Sequence, residues 1–538
     1  MLRYTVYLLT LVAAIVFVVL CVQVSLYFLF GAGVAVPLAL LGTWDIVQTK
    51  HSILRNFPIL GHIRFLMESI RPEIFQYFVE ADTAGRPYDR TLRTVIYERA
   101  KGDLDDKPFG TELDVYQTEY EWLNHSIAPR PKATEPFRVT IGNDQCAHPY
   151  NASVLNISAM SFGALSAHAL LAMNKGAKMG NFYHDTGEGG VSPYHKRYGG
   201  DLVWEIGSGY FGCRDDHGHF NPELFQEQSR DDQVKMVEIK VSQGAKAGHG
   251  GVLPGPKVSL EIAQTRNVPA GVECISPAYH TAFSTPIELI EFVQQLRELS
   301  GGKPAGFKLA IGRPTEFMSI CKAIRETGIY PDFIVIDGAE GGTGAGPIEF
   351  LNHLGMPLTD GLVFATNCLR ATGIRDKIKV GCSAKIATAF SMASRIGLGA
   401  DWCNAARAFM FAVGCIQAQR CQTNRCPVGV ATQDPKLFRA IDVDSKAERV
   451  KRFHEGTLNS LAQVVAAAGL DHCDQFGRHH FMRRVSPTEI QRFIDVYPRF
   501  EDGELLDGKS HNKQYNDYWN RAKSTEFENV PTRASRAS

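Results

Sequence analysis

Residues 305–337 read AGFKLAIGRPTEFMSICKAIRETGIYPDFIVID, and this stretch decides the expected fold. Two short apolar runs, Ala305–Ile311 and Asp332–Asp337, have the composition of buried strands. The segment between them, Pro314–Thr327, has the mixed apolar and polar spacing of an amphipathic helix. Strand, helix and strand in this order form the repeating unit of a parallel sheet.

The same alternation continues from about residue 137 to residue 430. Further strands are predicted at Val234–Val241 (VKMVEIKV) and Ile378–Val380 (IKV), and a further helix at Thr285–Leu299. The number of such units favours a closed (β/α)8 barrel over an open sheet. The predicted fold is therefore α/β: a TIM barrel with an N-terminal transmembrane segment and helical extensions.

Polar residues and glycines interrupt the apolar pattern where these strands end, which is where TIM barrels carry their active sites. Glu238 and Lys240 fall on one face of their strand, and burying them there is costly unless each binds something. Lys308 ends another strand in the same way. Five glycines within Asp337–Gly346 would let backbone N–H groups approach a ligand, although a tight turn without a ligand explains that loop equally well.

The first 45 residues predict a transmembrane anchor. The stretch Tyr4–Trp44 has no charged residue. It is too long for a signal peptide, whose apolar region spans about 7–15 residues, and each membrane span needs roughly 20. Two spans turning near Gln23–Ser25 are favoured over one span followed by an interfacial piece broken at Gly31–Gly33 and Pro37, or over a buried core hairpin. The basic residues that follow favour a catalytic body on the cytoplasmic side of the cell membrane; they are Lys50, His51, Arg55 and Arg64.

Composition narrows the class of protein. Lys+Arg and Asp+Glu both number 57, so nothing indicates a nucleic-acid partner. Twelve cysteines in 538 residues are too sparse for a disulfide scaffold and favour a reducing compartment. Residues 46–136 carry no catalytic signature and are expected to pack on the barrel, with a helix at Ile70–Glu80 and a loop at Asp82–Arg90. Residues 436–538 are expected to form a tail that is helical at Lys446–Ala468 and frayed beyond.

One short loop holds three cysteines, Cys415, Cys421 and Cys426, in the segment GCIQAQRCQTNRCPVGVATQDP. Three thiolates closing with Cys-Pro are a way to bind an iron–sulfur cluster, and three ligands rather than four fit [3Fe-4S]. A structural zinc site usually needs a fourth ligand. The alternative is three buried thiols or a disulfide.

Several motifs in one order resemble the FMN-binding synthase domain of the glutamate synthase family, and in particular its short, membrane-tethered members. They cover about half of the chain and read MSFGALS (160–166), GEGG (187–190), KVSQGAKAGHGGVLPGPKV (240–258), ECISP (273–277), FKL (307–309), IDGAEGGTGAGP (336–347) and CPVGVATQDP (426–435). The resemblance implies that residues 137–435 are an FMN-binding barrel with an iron–sulfur loop.

The resemblance also implies a chemistry and a site. The enzyme would act on the CH–NH2 group, converting 2-oxoglutarate through 2-iminoglutarate to glutamate, with electrons passing through a [3Fe-4S] cluster to FMN. The implied cluster ligands are Cys415, Cys421 and Cys426. The implied catalytic residues are Glu188, Lys240 and Lys246, and the implied substrate-binding residues are Lys240, Gln243 and Arg266. The implied FMN-binding residues are Ser161, Gln243, Lys246, Lys308, Gly341, Gly342, Gly381, Ser383 and Arg407.

The chain also departs from the family pattern. A membrane segment stands where the large glutamate synthases carry a glutaminase domain, so ammonia or another amine is expected from a separate source. Cys382 replaces the second glycine of a Gly-Gly pair, and His249 and Val252 replace polar residues near the site, which leaves the oxo-acid open. No nicotinamide-binding motif is seen, so a ferredoxin-like or quinone-linked electron donor is expected. The alternatives are another membrane-linked FMN and iron–sulfur dehydrogenase on the same scaffold, or a non-catalytic membrane subunit.

Overall fold

The computed structural model describes residues 2–508 and 510–527. The chain divides into two compact units, Met1–Arg90 and Thr91–Ser538. This boundary lies inside the segment 46–136 that was expected to form one extension of the barrel. Residues 46–90 belong to the same compact unit as the N-terminal apolar helices, and residues 91–136 belong to the unit that contains the barrel.

The first unit begins with a helical hairpin. Helix α1 spans Thr5–Gln23 and helix α2 spans Leu29–Val47, with a 3-10 turn at Leu26–Phe28 between them. Both helices are long and apolar enough to cross a membrane, and the turn lies where two spans were predicted to meet. Pro37 lies inside α2 and does not divide it.

Two further helices follow the hairpin in this unit, Ser52–Asn56 and α3 at Gly61–Ile74. The fully buried carboxylate of Asp45, near the end of α2, ties them to the hairpin: it accepts a hydrogen bond from the Ile59 N–H at 2.9 Å and lies 2.9 Å from His62 Nε2. The helix predicted at Ile70–Glu80 begins earlier in the structure, at Gly61. It has Pro72 within it and continues as a π-helical turn at Phe75–Val79.

The second unit is built on a closed barrel of eight parallel strands, which confirms the predicted fold class. Register pairs join each strand to the next, and Cys403 opposite Leu155 closes the ring. The barrel strands are β1 Leu155–Ile157, β2 His184–Asp185, β3 Leu202–Ile206, β4 Val234–Lys240, β5 Ala305–Leu309, β6 Phe333–Asp337, β7 Lys379–Ser383 and β8 Trp402–Ala405.

Helices follow the strands around the outside. They are Ala167–Gly180, Pro193–Lys196, Pro222–Ser229, Pro286–Leu299, Pro314–Thr327, Leu358–Ala371, Ala389–Leu398 and Arg407–Val413, with Leu260–Arg266 and Ile348–His353 in the loops after β4 and β6. Local signals set their ends. Thr285 caps Pro286–Leu299 through a reciprocal bond with Glu288, and Gly328 ends Pro314–Thr327 in a left-handed conformation.

Segments before and after the barrel share a small antiparallel sheet, which the prediction of a helical tail did not include. The long helix Val443–Ala467 is present close to its predicted bounds. Beyond it, strands Phe481–Ser486 and Glu489–Arg492 pair with each other, and Phe481–Ser486 also pairs with Glu121–Leu123. Phe481, at the start of this sheet, is buried, and its ring lies 6.3 Å from that of Phe390 in the helix Ala389–Leu398, so the sheet packs against the barrel.

Other short elements complete the unit. They are the helices Arg90–Lys101, Pro435–Phe438, Phe493–Val496 and Lys513–Arg521, and the paired strands Arg138–Ile141 with Tyr150–Ser153 and Val252–Leu253 with Cys274–Ile275. The last part of the predicted tail, residues 528–538, lies outside the described residues.

Candidate active site at the barrel mouth

An ion pair between Glu188 and Lys240 lies at the mouth of the barrel. Lys240 is the last residue of β4, and Glu188 is in the turn after β2. Lys240 Nζ is 2.9 Å from Glu188 Oε1, and both side chains are largely buried, at 7% and 16% exposed. Burial alone raises the pKa of Glu188, but the cations around it, led by Lys240, outweigh this effect and lower the pKa to about 2. The pair is therefore ionised at neutral pH.

Lys246 lies close enough to this pair to interact with it electrostatically. It ends the 3-10 turn Gly244–Lys246 after β4, and its Nζ donates a hydrogen bond to the Ala345 carbonyl at 3.3 Å. Burial lowers the pKa of Lys246 to about 8, opposed by Glu188 and reinforced by Lys240. Two cations and one carboxylate therefore lie close together at the mouth, and their catalytic roles stay a prediction.

Lys308 is engaged elsewhere. Its ammonium forms ion pairs with Glu205 of β3 and with Glu238 of β4, the latter at 3.2 Å. Burial lowers the pKa of Lys308, but these carboxylates and Asp185 raise it well above its ordinary value. Burial, with Glu205 beside it, raises the pKa of Glu238 to about 7. Glu238 and Lys240 thus each have a buried partner of opposite charge, whereas a contact between Lys308 and a cofactor stays a prediction.

Arg266, the last residue of the helix Leu260–Arg266, is buried and donates hydrogen bonds to the turn after β1. Its Nη2 donates to the Phe162 carbonyl at 3.0 Å and to Ser161 Oγ at 3.3 Å. Its guanidinium lies 5.0 Å from the centre of the Phe211 ring. The buried Nε has no hydrogen-bond partner among the described residues, which leaves one donor facing no protein acceptor. Arg266 and Ser161, both predicted site residues, are therefore in direct contact.

The glycine-rich loop after β6 makes room for Arg407. Arg407 Nη2 donates to the Glu340 carbonyl at 2.6 Å. A Cβ on Gly342 would lie 2.8 Å from Arg407 Nε, so a larger residue there would force the arginine side chain to move. The Gly341 N–H bonds the Gly338 carbonyl at 2.8 Å. The loop is therefore a tight turn around an arginine at the carboxyl ends of the strands.

Two predicted phosphate contacts have structural roles of their own. A Cβ on Gly381 would lie 2.5 Å from Cζ2 of Trp402, so Gly381 makes room for that ring. Ser383 Oγ donates to Asp337 Oδ1 at 2.6 Å, and Asp337 Oδ2 accepts from the Gly244 N–H at 2.7 Å. These bonds join β6 and β7 to the turn that ends at Lys246. Phosphate binding by Gly381 and Ser383 stays a prediction.

A cleft opens beside the ion pair, bordered by residues 248–251 and 277–278. His280 holds the backbone of Lys240 beside this cleft: its Nε2 is 2.8 Å from the Lys240 carbonyl, and its Nδ1 is 3.0 Å from the Tyr210 hydroxyl. Burial lowers the pKa of His280 to about 4, so the ring is neutral. A neutral ring can donate from Nε2 to the carbonyl and accept from Tyr210 at Nδ1. Gln243, predicted at this site, is half-buried and precedes the turn that carries Lys246.

The three loop cysteines are free thiols rather than a disulfide. Cys426 is buried, and Cys415 and Cys421 are half-buried. Burial raises the pKa of Cys415 to about 12, with smaller contributions from the other two thiols, so the three are electrostatic neighbours. The Gln417 N–H lies 3.4 Å from Cys415 Sγ in a hydrogen bond to sulfur.

Lys257 ties this loop to the turn after β1. Its buried ammonium donates to three carbonyls, those of Ala164 at 2.8 Å, Cys421 at 3.3 Å and Ala431 at 3.4 Å. Gln433 donates to two more carbonyls of the turn after β1, at 3.1 and 2.8 Å. The turn that contacts Arg266 is thus also bound to the cysteine loop.

Comparison with known proteins decides the family. The sequence model described as the conserved region in glutamate synthase matches residues 126–471, more than half of the chain. The glutamate synthase large subunit-like protein YerD of Bacillus subtilis is 36% identical over 511 residues, which cover 87% of this chain and 97% of that protein. The chain belongs to the glutamate synthase family. Its function is of the glutamate synthase type, and it is an oxidoreductase.

Other similar proteins include the archaeal glutamate synthase [NADPH] of Methanocaldococcus jannaschii. It is 32% identical over 400 residues, which cover 74% of this chain and 71% of that protein. A solved structure of mandelate oxidase with (S)-4-hydroxymandelic acid gives a TM-score of 0.41 at 12% identity, covering 79% of this chain and 99% of that chain.

Three features of this glutamate synthase family site were missed from the sequence. Lys257 lies in the motif 240–258, where residues 253–257 read LPGPK. Its position directly after Gly255-Pro256 was the one sequence signal that it could belong to the site. Asp337 was quoted only as the start of the glycine-rich loop. His280 had no local signal, because its two hydrogen bonds go to a backbone carbonyl and to a tyrosine 70 positions away.

Proposed function

We propose that this chain reductively aminates an oxo-acid of the 2-oxoglutarate class to the amino acid, through the imino acid, with FMN and a [3Fe-4S] cluster. The observation that carries the proposal is the buried group Glu188, Lys240 and Lys246 at the barrel mouth. Two ammonium groups against one carboxylate leave a net positive site, which favours a dicarboxylate substrate.

FMN fits the mouth of this barrel. The loops after β7 and β8 are where TIM barrels often bind phosphate, and Lys385, two residues after β7, has a left-handed φ of 49°. Ser161, Gln243, Lys246, Gly341, Gly342 and Arg407 are the residues proposed to hold it, with Lys308, Gly381 and Ser383 supporting the strands beneath. When bound, FMN would supply the hydride that reduces the imine.

The chain's own residues would bind the substrate and move the proton. Lys240 is proposed to meet the oxo-acid, and Arg266 to offer its unpartnered Nε to a substrate carboxylate. The Lys240 ammonium can donate the proton that the imine nitrogen gains, and the ionised Glu188 carboxylate, 2.9 Å away, holds that ammonium in position. His280 holds the Lys240 backbone in place.

The cysteine loop fits an iron–sulfur cluster by its donor set. Cys415, Cys421 and Cys426 offer three thiols on one buried loop, with an N–H donor to Cys415 Sγ and the Lys257 ammonium beside Cys421. Bound there, a [3Fe-4S] cluster would supply one-electron transfer. The position of the loop, tied to the turn that Arg266 contacts, supports this proposal.

The remaining partners are also proposals. We expect α1 and α2 to anchor the protein in the cell membrane, with the catalytic body on the cytoplasmic side, because both helices are long and apolar enough to span it. The amine would come as ammonia or another amine from a separate source. A ferredoxin-like or quinone-linked donor would supply the electrons.

Cofactor content and turnover test this function together. Purified protein is expected to release about one FMN per chain on acid treatment. Reduced protein is expected to be reoxidised only when 2-oxoglutarate and ammonium are both added, with one glutamate formed per reoxidised FMN. Reoxidation by a quinone but not by this pair would instead favour a membrane-linked dehydrogenase on the same scaffold. Protein that purifies without FMN would contradict both enzymes.

The rate should fall on the alkaline side of neutrality. The pKa of Lys246 is lowered to about 8, so above that pH its positive charge is lost and binding of a dianionic oxo-acid weakens. We expect kcat/KM to fall with an apparent pKa near 8. In Lys246→Arg, the guanidinium stays charged and the fall should move to higher pH. Lys235→Arg, on strand β4 and half-exposed, is the control and should keep the original profile. An activity that rises above pH 8 would contradict a cationic role for Lys246.

A further inference from the structure

Helix α3 carries a face of apolar side chains that are exposed rather than packed against other parts of the protein. Ile63, Leu66 and Met67 are 55%, 56% and 48% exposed, and Ile70 and Ile74 are 37% and 40% exposed. At 3.6 residues per turn these five side chains fall within about 100° of the helix circumference. Phe78, in the π-helical turn that follows, is 85% exposed. This set of residues is called the α3 apolar face below.

The other side of α3 is attached to the helical hairpin. His62 lies 2.9 Å from the buried carboxylate of Asp45 near the end of α2. The Phe65 ring packs edge-on against His51 with 5.3 Å between ring centres. His62 and Phe65 lie on the part of the helix circumference away from the α3 apolar face. The hairpin therefore fixes the rotation of α3 and leaves that face uncovered within its own unit.

Charge is concentrated at the same end of the hairpin. Arg3, just before α1, donates to Asn56 Oδ1 at 3.0 Å, which places Arg3 beside the helix that precedes α3. The opposite end, Val24–Phe28, has no charged residue. The exposed cations near α3 are Arg3, Lys50, Arg55, Arg64 and Arg71, against the exposed carboxylates of Glu68 and Glu73. This excess of positive charge complements the anionic lipids of a cytoplasmic leaflet.

We propose that α3 is an interfacial helix, with its apolar face inserted among lipid chains and its basic residues at the headgroups of an anionic leaflet. An amphipathic helix with this pattern lies in the plane of the interface. The apolar hairpin holds α3 at that level through Asp45 and His62. The proposal rests on the proposed membrane anchor. It adds a second membrane contact, whose strength depends on the content of anionic lipid.

Photo-crosslinking in the full-length protein tests the contact. The chain is reconstituted in nanodiscs of phosphatidylcholine with or without phosphatidylglycerol, with p-benzoylphenylalanine replacing Leu66. Replacement of Glu68, of which 54% of the side chain is exposed on another side of the helix, is the matched control. After irradiation, mass spectrometry is expected to find lipid attached at position 66 and not at position 68, with a higher yield when phosphatidylglycerol is present.

Three outcomes would overturn the proposal, and they differ from one another. Capture of a second copy of the chain at position 66 would make the face a dimer contact. Equal lipid capture at both positions, or none at either, in a protein that has entered the nanodisc would remove the interfacial role while leaving the anchor. A chain that does not enter nanodiscs at all would overturn the anchor and the interfacial helix together.

Hydrogen exchange gives a second measurement. The double variant Leu66→Asp with Ile70→Asp should still enter nanodiscs through α1 and α2, but the amide hydrogens of residues 61–79 should exchange faster than in the unaltered protein.

Discussion

Replacing Lys240 with methionine is expected to lower the rate of reductive amination by at least about 100-fold, the lower range for losing a positioned proton-transfer group. The change removes the only cation within ion-pair distance of Glu188 among the described residues and leaves that carboxylate buried and unpaired. Breaking a buried ion pair by removing one partner costs about 3–5 kcal/mol. The variant should therefore also unfold at a lower temperature, and single-turnover kinetics with calorimetry would measure both effects.

A double variant separates the chemical role of Lys240 from its contribution to stability. Lys240→Met combined with Glu188→Gln removes both charges, so most of the lost stability should return while the rate stays low. Lys235→Met is the matched control, since Lys235 lies on the same strand, is half-exposed and is 3.9 Å from Asp201. Recovery of the rate in the double variant would show that the pair only supports the fold, and Lys240 would then have no catalytic role.

Each of the changes Cys415→Ser, Cys421→Ser and Cys426→Ser is expected to remove most of the bound iron and acid-labile sulfide. Loss of one of three thiolates leaves an iron atom without its protein ligand. Cys368→Ser is the control, because that thiol is fully buried in the helix Leu358–Ala371, outside the loop. Iron and sulfide are measured on purified protein, and activity with a one-electron donor should fall in parallel. FMN content should change little.

Lys257→Met probes the same loop without touching a thiol. The methionine keeps the length of the side chain but removes the donors to the Ala164, Cys421 and Ala431 carbonyls. Iron should still bind, and the cluster should become harder to reduce because a nearby positive charge is lost. An unchanged reduction potential would show that Lys257 only supports the backbone. Stoichiometric zinc without sulfide in the unaltered protein would contradict the cluster itself and the electron-transfer function built on it.

Local patterns were sufficient for most of the fold. Pro314–Thr327 was predicted with its observed bounds, because Pro314 starts the helix and Gly328 ends it. Strands β4, β5 and β6 were placed within two residues, since each is a buried run with turn residues beside it. The strands at Phe481–Ser486 and Glu489–Arg492 were missed, because polar residues outside the barrel give no clear period and their pairing with Glu121–Leu123 joins distant segments.

The sequence by itself determined the barrel, the family and the residue types at its mouth. Those follow from periodicity and from motifs that lie within a few positions of one another. Tertiary structure alone decided which charges meet. Lys308 pairs with Glu205, which is 103 positions away, rather than with the mouth, and Arg266 holds Ser161 and Phe162, which are 105 and 104 positions away. It also decided that Lys257 binds backbone carbonyls. Every residue has a carbonyl, so no sequence pattern marks such an acceptor, and only the closing of the barrel brings donor and acceptor within hydrogen-bond distance.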